Sequence, residues 1–204
     1  MTKAVIRALL KNTLSQLDKT SKYHETYLDN VLESCLNSVY YQVYEKNPRA
    51  LGQYTKRFAA QNLTAGTAGR YAYALTVKLV PLPDKRGGVR SVIDEADTDL
   101  YFVPVTDQEL MLMEESQVVD DLTMTTPIVA YYVVRPTLVE FKGLSVTQLD
   151  DTYTFDLLVA FTSLLDTDEV PLPFGKNAEI IKMALEIIGV VPPKDLLDNN
   201  SDIR

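Results

Sequence analysis

The segment Asp166–Gly189, DTDEVPLPFGKNAEIIKMALEIIG, constrains this chain more than any other stretch. An acidic turn leads into Pro171 and Pro173, which fix two φ angles and remove two backbone donors, so the chain is extended before it can be helical. From Ala178 the pattern changes. Glu179, Lys182 and Glu186 form a narrow charged stripe, while Ala178, Ile180, Ile181, Ala184, Leu185, Ile187 and Ile188 cover most of the rest. Gly189 can take the left-handed position that ends a helix, and Pro192 and Pro193 forbid continuation. A helix this apolar has to be buried by elements made earlier in the chain. The segment is therefore predicted to close the fold, and it carries no chemistry.

Those earlier elements begin at the N-terminus. Val5, Ile6, Leu9, Leu10, Thr13, Leu14 and Leu17 recur at helical spacing, with Thr2 available as a cap. After a break at Thr20-Ser21, the pattern from Tyr23 through Leu28, Leu32, Cys35 and Val39 to Tyr44 sustains about six helical turns. Asn47-Pro48 ends it, and Pro48 to about Ala60 reads as a third, shorter helix. NLTAGTAGR reads as a flexible connection.

From Tyr71 the period becomes two, with Tyr71, Tyr73, Leu75, Val77 and Leu79 on one face. PLPDKRGGVR is a turn around Gly87-Gly88, and Val89–Ile93 is predicted as the return strand. DEADTD is a further turn, and residues 100–105 form a short strand that Pro104 assigns to a sheet edge. Asp107 can cap a short helix through Leu110, Met111 and Met113. Strands are also predicted at Pro127–Val134, Thr137–Phe141 and Tyr153–Phe161. The predicted class is α+β: N-terminal helices and a C-terminal helix form a helical platform, with an inserted antiparallel β-sheet or small β-sandwich. The expected boundaries are 1–65 with 166–190 for the helical domain, 70–165 for the β-rich domain, and 191–204 for a flexible tail.

Composition narrows the chemistry. The 204 residues, 46% of them hydrophobic, can bury a core, and the formal net charge of -8 opposes general nucleic-acid binding through a basic surface. One cysteine, Cys35, excludes an internal disulfide and a cysteine-based zinc cluster. The opening MTKAVIRALLKNTL reads as an amphipathic helix, not a secretory leader, and the Asn62-Leu63-Thr64 sequon reads as a chance occurrence. No apolar run approaches the length of a membrane span.

Each candidate for chemistry has a plainer alternative. His24, the only histidine, reads as a surface residue at a helix start, and Cys35 lies on an apolar stripe without a basic neighbour to activate it. Asp94, Glu95, Asp97 and Asp99, like Asp166, Asp168 and Glu169, could offer oxygens to a hard cation, but neither group follows an EF-hand pattern, and solvated turns explain both. A hydrolase using Asp94, Asp97 and Asp99 is the weakest reading. Lys85, Arg86 and Arg90 around the Gly87-Gly88 turn form the one local basic spot, either a solubilising tip or a contact with an acidic partner. Twelve tyrosines and no tryptophan suit half-wet interfaces, although tyrosines at helical spacing read first as core. Tyr40, Tyr41 and Tyr44, with Lys85, Arg86 and Arg90, are the interface candidates. No catalytic, cofactor-binding or metal-binding residue is assigned.

The order of parts is more informative than any single motif. Helices lead into a β-rich insertion, and YYVVRPTLVEF at 131–141 precedes the late strand TYTFDLLVAFTSL. That strand runs through DTDEVPLPFGKN into the helix AEIIKMALEIIG. This order resembles the head-to-tail adaptor and tail-ring (connector) proteins of tailed bacteriophages, of the short-tailed or crAss-like type, over about the first 60 residues and from about 125 to 190. The resemblance implies a virion structural protein with no catalytic residue and no cofactor. It implies a ring of subunits, commonly twelve, that contacts itself, the portal protein and adjacent tail or ring proteins. Genomic DNA would pass through the ring without sequence-specific binding, no membrane would be involved, and assembly would take place in the host cytoplasm. The alternative from the residues themselves is a small monomeric β-rich binding module without catalytic activity.

Overall fold

The computed structural model describes residues 1–17, 23–66, 69–116, 129–145, 147–173 and 176–190. The expected tail at 191–204, the break at Thr20-Ser21, the helix-blocking Pro192 and Pro193 and the predicted strand start at Pro127 lie outside the described residues. The chain divides into two compact units. One is formed by Met1–Ala50 together with the chain from Ala160 onward, and the other by Leu51–Val159. No described helix is long and apolar enough to cross a membrane.

The first unit is helical. It contains α1 (Lys3–Gln16), α2 (Glu25–Lys46) and the helix Asn177–Ile188, and the last of these packs on both of the others. The apolar pattern of α1 splits by the helical period. Ile6, Leu10 and Leu14 are buried one above the other, whereas Val5 and Leu9 are exposed. In α2 the buried row is Leu28, Val31, Leu32, Cys35, Leu36, Val39 and Tyr40, and His24 caps its start by accepting from the Thr26 N–H through Nδ1. Gly189 closes the last helix at φ 78°, the left-handed conformation that a glycine adopts without a Cβ penalty.

The acidic turn that leads to this helix is fastened to the start of the chain. Thr2 forms an antiparallel bridge with Glu169, the Lys3 N–H donates to the Asp168 carbonyl, and the Val170 N–H donates to the Met1 carbonyl. Thr2 occupies the capping position of α1 without any side-chain cap bond, while its backbone is engaged in this pairing. Lys3 is buried over the Phe161 ring, where its Nζ donates to the Leu164 carbonyl at 2.9 Å and pairs with Asp29 at 3.4 Å. Buried ammonium groups demand such company, since desolvation without partners costs several kcal/mol.

The second unit holds two sheets. The strands are β1 (Lys56–Gln61), β2 (Thr64–Ala65), β3 (Tyr71–Ala74), β4 (Val89–Asp94), β5 (Tyr101–Pro104), β6 (Val129–Val134), β7 (Leu138–Lys142) and β8 (Tyr153–Leu157). A three-stranded sheet has the order β1-β8-β4, and a five-stranded sheet the order β2-β3-β7-β6-β5. Aromatic side chains join them: Tyr73 of β3 stacks on Phe155 of β8 with centroids 4.2 Å apart, and Phe141 of β7 meets Phe155 edge-on at 6.0 Å. Two sheets packed through one aromatic core make a small sandwich. The α+β class follows from the two units.

Four predicted details differ. The stretch after Pro48 is a 3-10 helix only to Tyr54 and then becomes β1, whose Phe58 pairs with Phe155; ladder pairing with β8 overrides the local helical reading. The Gly87-Gly88 turn does not return a hairpin onto β3, because β4 pairs with β8 and β3 pairs with β2 and β7. Chain between Leu75 and Gly88 contains Pro81 and Pro83, which donate nothing to a ladder. Further, β5 lies at a sheet edge, yet it runs parallel to β6 while every other pairing among the described residues is antiparallel. The long connection through α3 (Asp107–Ser116) supplies the crossover that a parallel pair requires. Thr106 and not Asp107 is its cap: Thr106 Oγ1 accepts from the Glu109 N–H, and Glu109 Oε2 accepts from the Thr106 N–H.

Candidate functional site

The turn from Asp84 to Arg90 is the most strongly built loop of the β unit. The Gly87 N–H donates to the Asp84 carbonyl and the Val89 N–H to the Arg86 carbonyl. Gly88 lies against β-sheet backbone so closely that a Cβ there would stand 2.7 Å from the Leu79 Cβ and 3.0 Å from the Leu158 oxygen. Gly87 sits at φ 50°. Both positions therefore need glycine.

Arg90 follows immediately, and it is the extra residue of a β-bulge, since Val89 pairs with Leu157 and Ser91 with Asp156. A bulge turns a side chain away from the face it would otherwise take. Here it folds the guanidinium back onto the turn: Nη2 donates to both Asp84 oxygens at 3.0 and 3.1 Å and to the Gly87 carbonyl. The side chain is only 6% exposed, and its Nε is buried without an acceptor.

An open cleft of about 280 Å3 begins beside this turn. Its walls include Arg86, Arg90, Ser91, Thr98, Tyr101 and Tyr132. Burial pushes the Tyr132 phenol up to about 12, against the pull of Arg86 and Arg90, so it stays a neutral hydroxyl at ordinary pH. Arg86 is exposed. Lys85 leans the other way and pairs with Glu109 at 2.5 Å, which with the Thr106 cap lowers the Glu109 carboxyl to about 2.

The interface candidates therefore separate. Arg86 is a free surface cation, Lys85 is paired, and Arg90 is a structural staple with no surface to offer a partner. On α2, Tyr41 is exposed and tilts against the half-buried Tyr44 with centroids 6.4 Å apart. Tyr40 is fully buried, and its hydroxyl donates to the Pro171 carbonyl. The helical period explains the correction: Tyr40 continues the row of Leu36 and Leu32, and Tyr41 is rotated out of it by one position. Sequence reasoning missed Thr98, Tyr101 and Tyr132 as cleft residues, because it takes β4 and β5 from different sheets to bring them together.

The acidic turns fold themselves. Asp94 is buried, and its Oδ1 accepts from the Ala96 and Asp97 N–H groups, while Asp97 Oδ1 accepts from the Asp99 N–H. Asp166 pairs with Arg7, and Asp168 Oδ2 accepts from the Leu165 N–H. Glu95 accepts from the Thr154 and Thr152 hydroxyls and from the Ala60 N–H, which lower its carboxyl. Among the described residues, no three acids, histidines or cysteines converge as metal ligands. Cys35 is buried and its thiol is pushed up to about 11 by burial, far from thiolate reactivity. His24 is exposed and engaged as a cap. No protein-family model matches the chain, and no curated protein matches it.

Proposed function

We propose that the chain is a ring-forming structural subunit of a tailed virion, a head-to-tail adaptor or tail-ring component that joins portal to tail around the genome channel. One observation carries the reading: the helical unit buries Ile6, Leu10, Leu28 and Leu32 and still leaves Val5, Leu9, Tyr27 and Tyr41 exposed on α1 and α2. Exposed apolar and tyrosine side chains suit contacts with neighbouring subunits. A net charge of -8 suits a channel through which DNA slides without being held. The role needs no catalytic residue and no cofactor. Its partners are further copies of itself, the portal protein and adjacent rings, and its place is the virion neck or tail after assembly in the host cytoplasm.

Light scattering and negative-stain imaging of the purified chain, alone and with its portal, test the proposal. Closed rings are expected, and Leu9→Asp with Tyr41→Ala should shift them toward smaller species. A strictly monomeric chain that never joins a portal or a virion overturns it.

A further inference from the structure

The cleft beside Arg86 has three properties that together define an occupant. First, its rims are open strand edges. β4 ends one sheet and β5 ends the other, so among the described residues each has a side that no strand pairs with. β4 supplies four successive wall residues, Arg90, Ser91, Val92 and Ile93. Second, every polar side chain of the lining carries a donor: Arg86, Ser91, Thr98, Tyr101 and Tyr132 beside the stapled Arg90, with no carboxylate among them. Third, the Arg86 side chain makes no hydrogen bond or ion pair among the described residues, in a chain with 28 acids and 20 basic residues, whereas Arg90 is already held by Asp84.

We propose that this cleft binds an extended acidic segment of a partner protein, added as a strand along the open edge of β4 with a carboxylate on Arg86. Main-chain hydrogen bonds to an open edge supply affinity, and alternate side chains supply specificity. A guanidinium facing a carboxylate gives charge-assisted bonds of fixed geometry. Tyr101 and Leu100 offer apolar contact to the residues between the acids. A nucleic acid is disfavoured as occupant, because its affinity depends on many phosphate contacts and the chain is net negative. The site lies within one chain, so it stands with or without ring assembly.

The test is a titration of the isotopically labelled full chain with a peptide of alternating glutamate and valine, followed by amide chemical shifts. Shifts are expected at Ser91–Ile93 and Leu100–Phe102, weakening as salt is added. Affinity should fall about tenfold in Arg86→Ala and with the glutamine version of the peptide. The Arg86 side chain makes no bond among the described residues, so unchanged shifts elsewhere verify that the variant is folded. Equal binding of the glutamine peptide, no effect of Arg86→Ala, shifts away from the cleft, or no shift at millimolar peptide each overturn the proposal. So does inorganic phosphate or an oligothymidylate that reproduces the same shifts more tightly. None of these outcomes depends on whether rings form.

Discussion

The Tyr40 hydroxyl donates to the Pro171 carbonyl at 2.8 Å, tying the middle of α2 to the proline turn that delivers the last helix, α4 (Asn177–Ile188). The ring beneath that hydroxyl is fully buried. Tyr40→Phe is expected to cost about 1–2 kcal/mol, since it leaves a part-buried carbonyl short of a donor, and Tyr40→Ala about 3–5 kcal/mol. Urea denaturation measures both. Tyr40→Phe should leave self-association unchanged, in contrast to Tyr41→Ala.

Arg7 grips Asp29 with two hydrogen bonds of 2.7 Å, and its Nη2 reaches Asp166 at 3.0 Å. Both partners of the first pair are 13% exposed in their side chains. Removing the guanidinium strands a nearly buried carboxylate, softened by Lys3 at 3.4 Å. Arg7→Ala should therefore destabilise the helical unit by about 2–3 kcal/mol, and a double-mutant cycle with Asp29→Asn should show strong coupling. Additive losses in that cycle contradict the arrangement.

Glu109 predicts an acid transition local to α3. Its carboxyl is lowered to about 2, first by Lys85 and then by Thr106. The unfolded value is about 4.3. A lowered folded value means that the contribution is complete above the unfolded value and is lost as pH falls towards about 2. Amide shifts of α3 followed against pH should titrate in that window. Lys85→Gln should move the midpoint up toward an ordinary carboxylate.

Gly88 tests how rigid the turn is. A methyl group there meets the Leu79 Cβ at 2.7 Å, and retreat is blocked because the Leu158 N–H donates to the Gly88 carbonyl at 2.7 Å. Gly88→Ala is expected to cost about 2–3 kcal/mol and to lower the thermal midpoint. Gly87→Ala, strained by φ alone, should cost about 1 kcal/mol.

What could be read from the residues was whatever a local period or stop signal encodes. The last helix, its glycine stop and its packing on α1 and α2 follow from its apolar pattern, although only Ile180, Ala184 and Leu185 are buried while Ala178 and Ile187 stay exposed. The edge position of β5 follows from Pro104. Partner choice was not legible. β4 looked like the return of a hairpin, but it pairs with β8, more than sixty positions later, through contacts that no local pattern announces. The same limit hid the cleft. Arg90 looked like a surface cation, and only the bulge that β8 imposes folds it back onto Asp84. Tyr40 and Tyr41 differ by a single step of helical rotation, which apolar spacing alone does not resolve when both are tyrosine.

The bridge between Thr2 and Glu169 sets an order on synthesis. The ribosome makes α1 and α2 long before the turn they require, and Tyr40 waits for a carbonyl 131 positions downstream. At ordinary translation rates that interval is on the order of ten seconds. Through it Leu10, Leu14, Leu32 and Leu36 have no completed core to enter, and the β unit cannot close either until its central strand β8 is made. The nascent chain is thus most vulnerable to holding factors and to premature pairing with other copies during that interval, and release of the last helix is the event that ends it.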